Sequence, residues 1–212
     1  MTHTPIRLYV DSQLTSPYAM SVYVTLLEKG IDFEMHRVNL EAEEHLGNSY
    51  ARVSLTQRVP TLVHGEVALT ESSAISEYLE ELFPQTRVYP TDPASRAKAR
   101  QVQAWLRSDL LPIRSERSTQ VVFYGIKAAP LSASAQCAAR KLIAAAQTLL
   151  DNHSDYLCGH WTIADTDLAL MLNRLILNGD QVPTLLVEYA RLQWQRPSVQ
   201  RWLTLERPAL AR

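Results

Sequence analysis

The chain has 212 residues, 46% of them apolar, and a net charge of −1 with the histidines neutral. That is enough to bury a sizeable core, in one large domain or two small ones. The charge balance excludes wholesale attraction to nucleic acid or an anionic membrane, which need a basic face, and no apolar run approaches the ~20 residues that span a bilayer.

In chain order, Ile6–Val10 reads as a short strand and Asp11–Thr15 as a polar loop. Pro17–Lys29 reads as a helix with a narrow polar stripe, Ser21, Thr25 and Glu28, and is expected to be mostly buried. Gly30 ends it, as glycine does past a helix end. Phe33–Leu40 is a second strand and Glu41–Tyr50 a polar helix or loop. Thr61–His64 and Val67–Leu69 flank Gly65-Glu66, a hairpin signal. Glu71–Phe83 returns to helix, with Ile75, Tyr78, Leu79 and Leu82 on one face.

The order β-α-β-(α)-β-β-α combines a parallel crossover with an antiparallel hairpin, which is the thioredoxin-like arrangement. Pro84, Pro90 and Pro93 then mark a linker. Beyond it every long segment is helical. Ala94 to about Val122 is expected to be one long helix, with Pro112 placed to kink it. A second helix surrounds Ala135, Ala138, Leu142 and Leu149. Ile163–Asn178 is apolar almost all round and should sit centrally, stopped at Asn178-Gly179. Short helices follow around Leu185–Trp194 and Val199–Leu205. The expected fold is an α/β thioredoxin-like domain at 1–84, a linker at 85–93 and an all-helical domain at 94–212, with a cleft between the halves.

Three short stretches can carry chemistry. Val59-Pro60 precedes the hairpin strand. X-Pro bonds are cis in only ~5–6% of cases, so taken alone this is an ordinary trans proline opening an edge strand. A cis bond in this slot leaves the Val59 backbone facing outward, where an extended peptide can pair with it. Glu71-Ser72 opens a helix. Free N–H groups and the helix dipole hold anions there, Ser72 adds a hydroxyl, and Glu71 can face an ammonium. A ligand with carboxylate and ammonium on one carbon suits both, although Ser72 or Ser73 also reads as a plain helix cap. Ser16-Pro17-Tyr18-Ala19 follows the first strand. Ser16 is a good N-cap and Pro17 a good first helical residue. The same geometry lets the Ser16 hydroxyl donate to a bound thiolate, as a donor rather than a base.

These motifs, in this order, resemble the glutathione S-transferase family over essentially the whole length, and most closely the bacterial YfcF-type transferases. The resemblance is carried by Ser16-Pro17-Tyr18, Gln57-Arg58-Val59-Pro60, Glu71-Ser72-Ser73-Ala74-Ile75 and Thr162-Ile163-Ala164-Asp165. It implies that Val59 and Pro60 pair with the cysteinyl part of glutathione and that Glu71 and Ser72 hold its γ-glutamyl end. It implies that Arg58 lies near the glycyl end and Ser16 acts on the sulfur. Tyr18, Phe123 and Tyr124 are candidates for an apolar second-substrate pocket roofed by the second half. The implied activity is attack of glutathione thiolate on a small hydrophobic electrophile, with reduction of organic hydroperoxides as a further activity. Glutathione is then a co-substrate, with no permanently bound cofactor, and the expected assembly is a homodimer. A non-catalytic interaction protein on the same fold, and a glutathione-dependent isomerase or dehalogenase, are the alternatives.

Ser-Pro-Tyr-Ala also resembles the Cys-Pro-Tyr-Cys of glutaredoxins with both sulfurs gone, which argues against dithiol exchange. Thr162 and Asp165 read as a capping box, a folding device. Cys137 and Cys158, too far apart for a CxxC pair, suggest free thiols in a reducing compartment, and Cys158 reads as packed rather than reactive. The short polar N-terminus does not read as a signal peptide, so the expected location is the cytoplasm. Histidines 3, 36, 45, 64, 153 and 160 show no metal-ligand spacing. Arg107 and Asp109 lie on the expected long helix, where they face the cleft or a partner, or else belong to a solvated helix face or an internal ion pair.

Overall fold

The computed structural model describes residues 5–150 and 154–210, so His3 and His153 lie outside the described residues. The chain divides into two compact units. One runs to Val88 and takes in the residues from Arg201 onward; the other is Tyr89–Gln200.

The first unit is built on a four-stranded sheet in the order β2-β1-β3-β4, with β1 at Ile6–Asp11, β2 at Phe33–Val38, β3 at Thr61–His64 and β4 at Val67–Thr70. β1 pairs parallel with β2, from Ile6 opposite Phe33 to Asp11 opposite Val38. The parallel pair needs a crossover, and helix α1 (Pro17–Glu28) supplies it. β3 runs antiparallel to β1, with Thr61 opposite Tyr9, and β4 antiparallel to β3, with Thr70 opposite Thr61. Ile6, Leu8 and Val10 alternate into the core while Arg7 and Tyr9 are half-buried, the period-2 signature read from the sequence.

α1 starts where Ser16 caps it and Pro17 presets the first turn, and Gly30 at φ 65° leads away from it. Two of the three residues of its polar stripe do not face solvent. Ser21 and Thr25 are buried, and Thr25 Oγ1 lies 3.1 Å from Ser76 Oγ on helix α3 (Ser72–Leu82), joining the two helices through hydroxyls. A four-residue helix α2 (Asn48–Ala51) follows a single 3-10 turn at Glu44–Leu46. At the other end of α1, the Lys29 ammonium is fully buried, 2.6 Å from Glu80 Oε2. It also donates to the carbonyls of Phe83 and Thr86, while Glu80 accepts from the Val88 N–H. One buried ion pair thus fixes the chain as it leaves α3.

The second unit is helical. Where one long helix was expected from Ala94 to Val122, there are three: α4 (Pro93–Ser108), α5 (Leu111–Glu116) and α6 (Thr119–Tyr124). The first break lies at Asp109, which is extended, and Leu110, which is left-handed at φ 61°; the second lies at Arg117 and Ser118. Pro112 sits in the first turn of α5, so it opens a new helix instead of kinking an old one. α7 (Ala133–Leu149), α8 (Ile163–Ile176), α9 (Thr184–Trp194) and α10 (Pro197–Leu203) complete the chain. α8 is buried over most of its circumference, in a core with Leu106, Ile113, Leu142 and Leu186. At its start the Asp165 carboxylate accepts from the Thr162 N–H at 2.8 Å and the Thr162 hydroxyl at 2.9 Å, the return half of the capping box. It also accepts from the Leu157 N–H and the Tyr189 hydroxyl.

Candidate functional site

Sheet register brings three segments to one end of the first unit. Thr61 at the start of β3 lies beside Tyr9 of β1 and Thr70 of β4. The turn leaving β1, the loop entering β3 and the start of α3 therefore gather at the same edge of the sheet, and they carry Ser16, Val59-Pro60 and Glu71-Ser72.

The first segment is a tight turn organised by Asp11. Its carboxylate is buried and accepts from the Thr15 N–H at 2.7 Å, the Thr15 hydroxyl at 2.9 Å and the Ser16 N–H at 3.0 Å. Ser16 Oγ accepts from the Ala19 N–H at 3.2 Å, capping α1. Accepting uses a lone pair and leaves the hydroxyl proton available to an anion at the helix terminus. The cap and the donor are compatible roles of one atom.

The second segment turns on the Arg58 carbonyl. It accepts from the Tyr50 hydroxyl at 2.9 Å, the Thr61 hydroxyl at 2.9 Å and the Ser54 hydroxyl at 3.3 Å. Burial raises the Tyr50 phenol above its ordinary pKa, so it stays a neutral donor. The Val59–Pro60 bond is cis. Arg58 itself is exposed, Val59 half-buried and Pro60 buried.

In the third segment Glu71, not a serine, stands at the N-cap of α3 and makes no side-chain cap bond. Ser72 is the first helical residue, with 2% of its surface exposed, and Glu71 is exposed. Ser72 is therefore not an ordinary cap, and it stands in the first turn of α3, at the positive end of the helix dipole.

All three segments share one backbone feature. Leu14 (φ 54°), Gln57 (φ 53°) and Glu71 (φ 69°) are non-glycine residues in positive-φ conformations, each standing one or two positions ahead of a candidate residue. Such residues cost about 1–3 kcal/mol each and cluster at functional sites.

The glutathione S-transferase N-terminal domain family matches residues 12–87 and the glutathione S-transferase C-terminal domain family matches residues 92–207. The chain belongs to the glutathione S-transferase family. A glutathione transferase homolog from Burkholderia gl BGR1, solved with bound glutathione, is 46% identical. The match covers 94% of this chain and 96% of that one, at a TM-score of 0.79. Glutathione S-transferase 1 of Dianthus caryophyllus is 34% identical over 109 residues, 51% of this chain and 49% of the relative. The maleylacetoacetate isomerase of Pseudomonas aeruginosa is 36% identical over 114 residues, 52% of each chain. The chain spans about half the length of the curated relatives it matches.

Other candidates resolve into structure. Arg107 is 3.0 Å from Asp167, which also accepts from Gln103. Asp109 bonds Lys141 and the Trp105 indole N–H, and these hold its carboxyl down at a pKa of about 2. Both pair within the second unit, Arg107–Asp167 largely buried and Asp109–Lys141 on its exposed surface. Cys158 Sγ lies 3.6 Å from the Ser95 carbonyl, and burial, then the Asp165 charge, push its thiol pKa up. Among the described residues both cysteines are free thiols. His36 stacks on Tyr9, and His64 shares a hydrogen bond with the Tyr78 hydroxyl. Tyr18, Phe123 and Tyr124 are each half-buried within their own units.

Asp11, Tyr50, Ser54 and Thr61 were not singled out by sequence. Asp11 had a findable signal, since an Asp ahead of a Thr-Ser-Pro helix start can bond the turn that follows it. The hydroxyl cluster on the Arg58 carbonyl had none, because its members come from separate elements.

Proposed function

We propose that the first unit binds glutathione and that Ser16 holds the bound sulfur as a thiolate, ready to attack a small hydrophobic electrophile. One observation carries the reading: the Ser16 hydroxyl caps α1 as an acceptor at 3.2 Å, so its proton is available to an anion in front of the helix. Lowering a thiol pKa by ~2 units takes about 2.7 kcal/mol. A charge-assisted hydrogen bond contributes about 1.5–3 kcal/mol and a helix terminus about 0.3–1 kcal/mol, which together reach that figure.

In this reading Val59 and Pro60 present backbone to the cysteinyl part. Glu71 and Ser72 take the γ-glutamyl ammonium and carboxylate, and Arg58 takes the glycyl carboxylate. Tyr18, Phe123 and Tyr124 are the residues proposed to contact the electrophile. The relative solved with bound glutathione supports the ligand, and the free thiols support a reducing cytoplasm. We assign the protein as a homodimer on the family resemblance alone.

Retention on immobilised glutathione, with turnover of haloaromatics, epoxides, isothiocyanates and hydroperoxides, tests the proposal. A folded protein that fails to bind glutathione would sink it and leave a non-catalytic interaction protein. A second reading, glutathione-dependent isomerisation, is favoured by the similarity to a maleylacetoacetate isomerase and by a serine at the start of the first helix. Turnover of a cis-enedione acid without net consumption of glutathione would select it.

A further inference from the structure

The turn that carries Ser16 is held by a residue from the far end of the chain. Arg207 Nε donates to the Leu14 carbonyl at 3.3 Å. The rest of its guanidinium serves the end of α10, donating to the carbonyls of Leu203 at 2.8 Å, Leu205 at 3.1 Å and Trp202 at 3.0 Å. The segment is seated on the first unit by more than this one side chain. Trp202 is fully buried with its ring 5.1 Å from that of Tyr23, and Arg37 on β2 donates to the Glu206 carbonyl at 3.0 Å. The residues from Arg201 onward accordingly belong to the first unit.

Leu14 is where the turn most needs holding. It is a leucine at φ 54°, a conformation unfavourable for a residue with a branched side chain. Its N–H donates to the Asp11 carbonyl at 3.0 Å, its side chain is fully buried, and its carbonyl goes to Arg207. Two residues later the Asp11 carboxylate takes the Ser16 N–H. Asp11 thus grips the turn from inside and Arg207 from outside, and Ser16 Oγ sits at the end of the gripped segment.

We propose that Asp11 and Arg207 are positioning residues for Ser16, and that the chain's C-terminal segment is in this way a working part of the sulfur site. The proposal rests on the role given to Ser16 above. Neither residue needs to touch glutathione. A hydroxyl misplaced by a fraction of an ångström is a poorer donor to the thiolate, while the groups that hold the rest of the tripeptide stay where they are.

The test compares Arg207→Gln, Ser16→Ala and the double variant. The readouts are kcat, the KM for glutathione and the pH titration of the bound thiolate by its ultraviolet absorbance. Arg207→Gln is expected to lower kcat by about tenfold, less than the roughly hundredfold of a full 1 Å misplacement because the hydroxyl is kept. It should leave the glutathione KM within about twofold and move the thiolate titration upward, toward that of Ser16→Ala. In the double variant the Arg207 change should add nothing, because a residue that acts through Ser16 has nothing left to position. Equal loss of kcat in both backgrounds, or a wild-type titration in Arg207→Gln, would overturn the proposal. If Ser16→Ala itself titrates like the wild type, the role of Ser16 falls and the proposal falls with it. Should the glutamine variant not fold, Arg207→Lys keeps the charge and stem but not the planar fork, and is judged by the same criteria. Asp11→Asn, which replaces one of the two accepting oxygens with an amide NH2 and so loses either the Ser16 N–H or the Thr15 donors, should move the titration in the same upward direction.

Discussion

Replacing Ser16 with alanine removes two things that can be told apart. The hydroxyl caps α1 through the Ala19 N–H at 3.2 Å, and losing such a cap costs about 1 kcal/mol of stability, or a Tm lower by about 2–4 °C in a chain of this size. The Ser16 N–H bond to Asp11 is made by backbone, so the turn itself survives the substitution. The second loss is the donor to the sulfur. A charge-assisted hydrogen bond of about 1.5–3 kcal/mol corresponds to a rise of about 1–2 units in the bound thiol's pKa. The direction matters. A raised thiol pKa leaves less thiolate at neutral pH, so turnover falls there by roughly tenfold to a hundredfold, and the deficit closes as pH rises through the new pKa. The assay is kcat/KM for a haloaromatic against pH at saturating glutathione, which reports ionisation in the binary complex. Ser16→Thr keeps a hydroxyl and should restore most of the rate. A deficit of constant size at every pH would refute the reasoning, because it would mean that Ser16 orients the sulfur without changing its charge.

Tyr50→Phe removes one of the three hydroxyls around the Arg58 carbonyl, so the glutathione KM should rise about fivefold, the equivalent of about 1 kcal/mol, with kcat within about twofold. Lys29→Met takes away the closest cation of the buried Glu80 carboxylate, leaving it only the half-exposed Arg87 at 3.8 Å, and should cost about 3 kcal/mol by denaturant unfolding. Adding Glu80→Gln, which still accepts from the Val88 N–H, should recover most of that loss. Equal instability of the single and double variants would show that packing, not the orphaned charge, sets the cost. Cys158, with its thiol pKa raised by burial, should react more slowly than the exposed Cys137 with an alkylating reagent near pH 8, and should gain on it as pH rises. Peptide mapping of partly modified protein reads the order, and faster labelling of Cys158 would contradict it.

Local chemistry made most of the fold legible. The alternation of Ile6, Leu8 and Val10, the Ser16-Pro17 start and the Gly65-Glu66 turn are each decided by a few adjacent residues, and the sheet formed accordingly. The break in the expected long helix was not legible. Helical periodicity continues through it, and the residue that turns the chain, Leu110, is a leucine at φ 61° instead of the glycine or asparagine that would have announced it. Arg107 and Asp109 were ambiguous for a different reason. Their partners, Asp167 and Lys141, are 60 and 32 residues away, and no pattern within a helix says which distant charge will meet it. The site divides along the same line. Ser16, Val59-Pro60 and Glu71-Ser72 were visible as short motifs, while Tyr50, Thr61 and Arg207 reach it only through tertiary folding.

The motifs taken singly are ordinary, and what distinguishes them is the backbone in front of each. Leu14, Gln57 and Glu71 could each be relieved by glycine, which has no Cβ penalty at positive φ. Glycine would also widen the unfolded ensemble and let the folded turn sample other conformations. A bulky residue at positive φ is tolerable only where neighbours over-determine it. At two of the three those neighbours are present: Leu14 is held at its N–H, its carbonyl and its buried side chain, and Gln57 donates its N–H to the Ser54 carbonyl beside the hydroxyls on Arg58. At Leu14 and Gln57 the chain thus gives up stability for a fixed geometry, as it also does at Leu110 to turn the second unit's helices. A site that stabilises a thiolate needs that fixity, because a donor helps the anion only if it is already in place when the charge forms.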